Sequence, residues 1–305
     1  MSRALRRLIS IALATLVLIS AATAEGRRSA PDPMPISLAA GIERAFAGHR
    51  LVAITDPRTP AMNRTLVSLI RDSKFRAHAR VLVYDCCAPR YQGLIDRYVN
   101  GDNVSFAAVS HVWARAGPPI PRPNLFVQAR KLNRRLPAAE RIRILLAHPW
   151  APAVFRCKQG QRCLVWGDRL DRVVAEVVER NIFRRHEKAL LLAGPEKLDR
   201  RRRPANPAGY GFDSAARRIE RRHPGSLFIV WAMNVCPTAD STADELIASW
   251  ARPRMADIRG TSVGAAPETL LWGCRGSGLR GLPLAPAKAD RPVERDVDAI
   301  IKVGR

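Results

Sequence analysis

Short, largely apolar runs recur along the chain at separations that leave room for a helix between them. Leu51–Ile54, Val81–Tyr84, Ile142–Leu146, Ala189–Ala193 and Leu227–Trp231 each read as a buried β-strand, and Ala299–Val303 reads as a sixth. Helical periodicity fills the gaps, around Ile36–Phe46 with an end at Gly48, and around Ala61–Arg71. Ahead of the fourth strand, Leu170, Val173, Val174, Val177 and Val178 share one helical face. Asp168 is placed to cap that helix, and Arg184 and Arg185 fall in its last turn, where the dipole favours cations. Asp213 is placed to cap another helix, which ends at His223-Pro224-Gly225. Continuous apolar strands alternating with amphipathic helices predict an α/β fold, with a mostly parallel central sheet of about five or six strands and helices on both faces.

The first residues do not fit this alternation. Arg3, Arg6 and Arg7 precede an uncharged run from Leu8 to Ala21, followed by Ala22-Thr23-Ala24. A basic segment, a short apolar segment and an Ala-x-Ala site make a secretory signal peptide, with cleavage expected after Ala24. The apolar run is shorter than the roughly 20 residues that span a bilayer. Three segments follow: a signal peptide (1–24), an α/β domain (25–274), and a loop-rich C-terminal extension (275–305) that closes with the last strand. A periplasmic or secreted location follows, with no transmembrane segment after cleavage.

Charge and cysteine content sharpen the picture. The formal charge of +24 favours acidic partners, namely an acidic small molecule or an anionic envelope polymer. The basic residues are spread along the chain and no recognition motif accompanies them, which argues against specific nucleic-acid binding. Six cysteines in an exported chain favour disulfides. Cys157 and Cys163 flank a short polar loop, and Cys236 and Cys274 lie in C-terminal loops. Adjacent Cys86 and Cys87 would form only a strained vicinal bridge, so they pair elsewhere or stay buried as thiols. The six histidines show no metal-ligand spacing, no matched CxxC pairs occur, and nothing calls for a metal or cofactor.

In open parallel α/β sheets, ligands sit beyond the carboxyl ends of the strands. The polar residues just after these strands are Thr55, Asp56 and Arg58, then Asp85, then His148, then Glu196 and Lys197. The run Arg200–Arg203 follows closely. Gly260-Thr261-Ser262-Val263-Gly264 matches a nucleophile-elbow string, but polar residues precede it, Pro267 follows, and no histidine lies beyond His223. Ser262 is therefore read as a loop residue.

The chain resembles the superfamily of erythromycin esterases and ChaN-like haem-iron uptake proteins, and within it a group of exported bacterial members. The likeness is carried by Tyr91-Gln92, Asp96-Arg97-Tyr98, Gly101 and Val112-Trp113. It continues through Asn133–Pro137, Arg141-Ile142-Arg143, the Leu190–Gly194 strand end, Arg222–Gly225, and Asp298–Ile301 with Gly304. The superfamily pattern ends its first strand in Gly-Glu-x-His and a later one in Gly-x-Gly-His. Here those places hold Thr55-Asp56-Pro57-Arg58 and Gly194-Pro195-Glu196-Lys197, while the carboxylate after the second strand is kept as Asp85. Arginine stays protonated and can neither accept a proton nor bind a metal. Lysine acts as a base only when its pKa is strongly depressed. Asp56 is one methylene shorter than the glutamate it replaces.

The resemblance thus implies a hydrolase-type cleft with impaired or absent ancestral catalysis. On this reading the cleft binds an acidic ligand through Arg58, Lys197 and Arg200, with Glu196 beside them. The alternative is an active ester or phosphoester hydrolase using Asp56, Asp85 and His148, with His148 replacing a lost base. A third reading, haem or iron binding, follows the ChaN-like branch.

Overall fold

A computed structural model describes residues 30–56, 59–114, 123–148, 161–200, 213–233, 242–251, 253–266 and 291–303. The segment 1–24 expected to be a signal peptide, Arg58, Arg201–Arg203 and Cys157, Cys236 and Cys274 lie outside the described residues, as does the side chain of Cys163.

All six expected strands form: β2 (Leu51–Thr55), β3 (Val81–Tyr84), β4 (Arg143–Leu146), β5 (Ala189–Ala193), β6 (Leu227–Met233) and β8 (Ala299–Lys302). Two more join them, β1 (Ile36–Ser37) and β7 (Arg254–Asp257), so the sheet has eight strands in the order β1-β7-β8-β6-β2-β5-β3-β4. The expected five or six is an undercount, and the sheet is mixed. Its six long-expected strands run parallel, while β7 is antiparallel to both β1 and β8. Both additions escape an apolar pattern for physical reasons. β1 has only two residues, and β7 buries Met255 and Ala256 between a half-buried Arg254 and an exposed Asp257. β8 lies between β7 and β6, so the last strand is an interior member of the sheet.

Side chains alternate along each strand and divide the core into two layers. Val52, Ile54, Leu190, Leu192 and Val230 face one layer, and Leu51, Ala53, Leu191, Ile229 and Trp231 face the other. The first layer is covered by α1 (Leu38–Gly48), α2 (Pro60–Arg71), α3 (Ser73–His78), α4 (Gln92–Asn100), α5 (Phe106–Ala114) and α6 (Pro123–Asn133). The second is covered by α7 (Gln161–Val178), α8 (Ala215–Arg222), α9 (Thr242–Ser249) and the single-turn α10 (Ser262–Ala265). Helices thus cover both faces. Among the described residues, no helix is long and apolar enough to cross a membrane.

Two expected caps move. Helix α7 begins at Gln161 and continues into a π-turn at Glu179–Phe183, so Asp168 lies inside it. Its carboxylate instead binds Arg172 one turn on and Arg218 of α8. The N-cap of α8 is Ser214, whose hydroxyl accepts from the Arg217 amide, while Asp213 holds Arg217 and Arg221 at 2.8 and 2.6 Å. Serine and aspartate are near-equal caps, and here the aspartate is drawn to guanidinium groups one and two turns into the helix.

Several residues of the family-like motifs prove to be structural ties. Gln92 acts as a strand backbone for the edge strand β4: its amide nitrogen donates to the Ile144 carbonyl and its oxygen accepts from the Leu146 amide, both at 2.8 Å. Asn133, fully buried, does the same for Ile142 and also donates to the Val99 carbonyl.

Candidate functional site

The connections leaving β2 and β3 pass to one face of the sheet, and those leaving β4 and β5 pass to the other. Where neighbouring connections diverge, a crevice opens at the carboxyl ends of the strands. Four adjacent strands, β2, β5, β3 and β4, bring Asp56, Glu196 with Lys197, Asp85 and His148 to that edge.

Backbone pairing carries on past the strand ends and sets these residues in place. The Asp56 amide donates to the Ala193 carbonyl at 2.8 Å, and the Asp85 amide donates to the Leu192 carbonyl at 2.9 Å. The two aspartates therefore flank β5 from either side, their backbones about 10 Å apart by the spacing of strands. The His148 amide donates to the Cys87 carbonyl at 3.1 Å, which ties the end of β4 to the loop after β3. After β5, a 3₁₀ turn at Pro195–Lys197 folds back so that Glu196 and Lys197 are both buried.

Asp85 is the centre of the arrangement. Its side chain retains 1% of its surface, and one carboxylate oxygen, Oδ1, lies 2.7 Å from Nδ1 of His148. An ionised carboxylate only accepts, so Nδ1–H donates, and a ring that carries its one proton there presents the lone pair of Nε2 outward. The other oxygen, Oδ2, lies 3.8 Å from Nζ of Lys197, which in turn lies 3.9 Å from Oε1 of Glu196. Lys197 is 4% exposed and is flanked by the two carboxylates, as a buried charge must be. The imidazole is the outermost member, with 21% of its side chain exposed. A partly open histidine backed by a buried aspartate is equipped for general acid–base chemistry.

The structure brings together Asp56, Asp85, His148, Glu196 and Lys197, and separates Arg200 from them. Arg200 binds Asp298 through both guanidinium nitrogens at 3.1 and 2.7 Å, approaches Glu220, and donates to the Leu227 carbonyl. Leu227 opens β6 and Asp298 precedes β8, so Arg200 sits at the amino ends of the parallel strands. Its guanidinium is held there as a structural clamp, away from the strand-end cluster.

Ser262 is also at the wrong end. Antiparallel β7 delivers Asp257 opposite Ala299, the first residue of β8, and the Ser262 hydroxyl lies 2.6 Å from Asp32. A strand does precede the glycine-rich string, but the string itself forms the cap and single turn of α10, and its Ser262 is bonded to Asp32.

Cys86 and Cys87 are buried thiols in the loop after β3, which excludes a vicinal bridge. Among the described residues, no group of three or more His, Cys, Asp or Glu side chains is arranged to hold a metal ion. The position of each strand-end residue was readable from the chain. The contact of His148 with Asp85 was not, because it depends on β4 lying next to β3.

No family model matches the sequence, and no curated protein matches it. Among solved structures, a protein from Bacillus cereus is similar in fold, with a TM-score of 0.52 at 8% identity, covering 90% of this chain and 95% of that one. The C-terminal region of Pasteurella multocida toxin, described as carrying a thiol-protease-like catalytic triad, aligns with a TM-score of 0.47 at 11% identity over 65% of this chain. The match spans 25% of the toxin chain's length. The type III effector HopBA1 aligns with a TM-score of 0.42 at 10% identity, covering 70% of this chain and 90% of the effector. At such identities the Bacillus likeness is one of fold alone. Fold and strand-end cluster together define an open-sheet α/β protein with a histidine–aspartate pair at its carboxyl edge.

Proposed function

We propose that this is an exported hydrolase of esters or phosphoesters, a divergent member of the erythromycin esterase and ChaN-like superfamily in which His148 has taken over the role of general base. The observation that carries the reading is the 2.7 Å contact between His148 and buried Asp85. Asp85 holds the ring in one tautomer and stabilises the imidazolium that forms when Nε2 takes a proton from water. The attacking oxygen then bonds to the carbonyl carbon or phosphorus, and the imidazolium returns the proton to the leaving oxygen. Asp56, on the other side of β5, takes the place of the superfamily's first-strand glutamate. Export rests on the basic, apolar and Ala-x-Ala pattern of residues 1–24.

The test is a panel of p-nitrophenyl esters and phosphoesters, assayed with the unmodified chain and with His148→Ala. A substrate turned over by the former is expected to lose about 10²–10⁴-fold in kcat/KM in the variant. Unchanged turnover in His148→Ala would remove the reading.

A second reading, a cleft that binds an acidic ligand with little catalysis, is favoured by the formal charge of +24. Two of the three cations assigned to it are engaged elsewhere, Lys197 between Asp85 and Glu196 and Arg200 on Asp298. Its remaining support is Arg58. Thermal stabilisation by acidic glycans or phosphate that disappears in Arg58→Ala is what it requires.

A further inference from the structure

We infer that Lys197 and Glu196 are positioning residues that set the proton affinity of His148 through the shared carboxylate of Asp85. The inference deepens the hydrolase reading and rests on the same site. Asp85 divides its two oxygens, Oδ1 on His148 at 2.7 Å and Oδ2 near Lys197 at 3.8 Å, and Glu196 faces the other side of the same ammonium at 3.9 Å. The four groups form one row across the ends of β5, β3 and β4. Lys197 and Asp85 are almost fully buried, at 4% and 1% side-chain exposure, so water screens their interaction weakly.

The charge arithmetic gives opposite signs to the two residues. With a neutral imidazole the row carries a net charge of −1, and protonating His148 brings it to zero. Without the ammonium, Asp85 loses a cation that competes with the imidazolium and binds the imidazolium more strongly. Without the Glu196 carboxylate, Lys197 acts on Asp85 unopposed and the imidazolium is held less well. The charged groups around the imidazole come from several strand ends: Asp85 after β3, Lys197 and Glu196 after β5, and Asp56 after β2 beyond β5. Arg58 lies outside the described residues.

Gly194 ties Glu196 to this row. A Cβ at that position would crowd the Glu196 carboxylate oxygens, so glycine leaves the carboxylate its place beside Lys197.

The experiment is an NMR titration of the full, ¹⁵N-labelled chain, with the His148 signal assigned by its absence in His148→Ala. Lys197→Met is expected to raise the midpoint of the His148 imidazole by about one pH unit, and Glu196→Gln to lower it by about half a unit. Opposite movements support the inference, since a packing defect has no reason to push the two variants in different directions. Movement in the same direction, or no movement in either, overturns it. If one variant does not fold, the other decides alone: a rise for Lys197→Met or a fall for Glu196→Gln supports it, and any other result overturns it. The titration needs no substrate, so it stands apart from the turnover assay, whose failure would remove the hydrolase reading alone.

Discussion

At the scale of single residues, Gly194 lies directly beneath the Glu196 carboxylate. Its replacement by alanine puts a methyl group against Oε1 of the Glu196 carboxylate. We expect Gly194→Ala to displace the Glu196 carboxylate and so disturb the row of charges at the strand ends, read as a lower urea midpoint. A second residue-scale prediction concerns pH. Chiefly the hydrogen bond that His223 donates to Glu179 holds the Glu179 carboxyl below its usual value of 4.5. His223 is also stacked on Phe183, with ring centroids 3.8 Å apart. A lowered folded-state pKa means that the unfolded chain binds the proton more tightly. The pair's stabilisation is therefore present above about pH 4.5 and is lost as pH falls through the lowered value. Unfolding midpoints measured at pH 6 and pH 3 should differ less in Glu179→Gln than in the unmodified protein.

At the scale of elements, side-chain polar groups do work that hydrophobic periodicity does not reveal. Ser214, fully buried, caps α8 and donates to the Asp199 carbonyl, so it ties the helix to the chain leaving β5. Ser214→Ala removes both bonds and should cost about 1–2 kcal/mol, read as a lower urea midpoint. Gln92 completes the edge of the sheet by bonding Ile144 and Leu146 of β4. Gln92→Ala is expected to raise hydrogen exchange at the β4 amides while leaving β2 and β5, in the middle of the sheet, protected. Gln92, within the Tyr91–Trp113 segment that carries the most specific part of the family likeness, thus holds the edge strand in place. The short or polar strands β1 and β7 were missed because their stability comes from pairing with each other and with β8.

At the scale of the whole molecule, Asp298 joins distant parts of the chain. Its side chain has no exposed surface, and it receives Arg200, Arg259 and the Ile229 amide. The loop after β5, the turn after β7, strand β6 and the approach to β8 therefore meet at one carboxylate. Asp298→Ala leaves two guanidinium groups without their anion and should destabilise the fold by about 3–5 kcal/mol. Arg200→Ala should likewise lower the melting temperature, and it should leave His148-dependent turnover unchanged. A loss of turnover without a loss of stability would return Arg200 to the functional edge of the sheet.

The alternation of apolar strands and amphipathic helices, a local property of the chain, was enough to specify an α/β fold, six of its strands and the residues at their carboxyl ends. Apolar runs and helical periods are set by near neighbours, so they can be read without knowing the fold. The strand order could not be read, because strands of similar composition compete for the same neighbours until the crossover helices choose the faces. That order decided the rest. It set β4 beside β3, so that His148 reaches Asp85, and set β5 between β2 and β3, so that Lys197 meets the same carboxylate. It also sent Arg200 to the opposite edge, where Asp298 holds it.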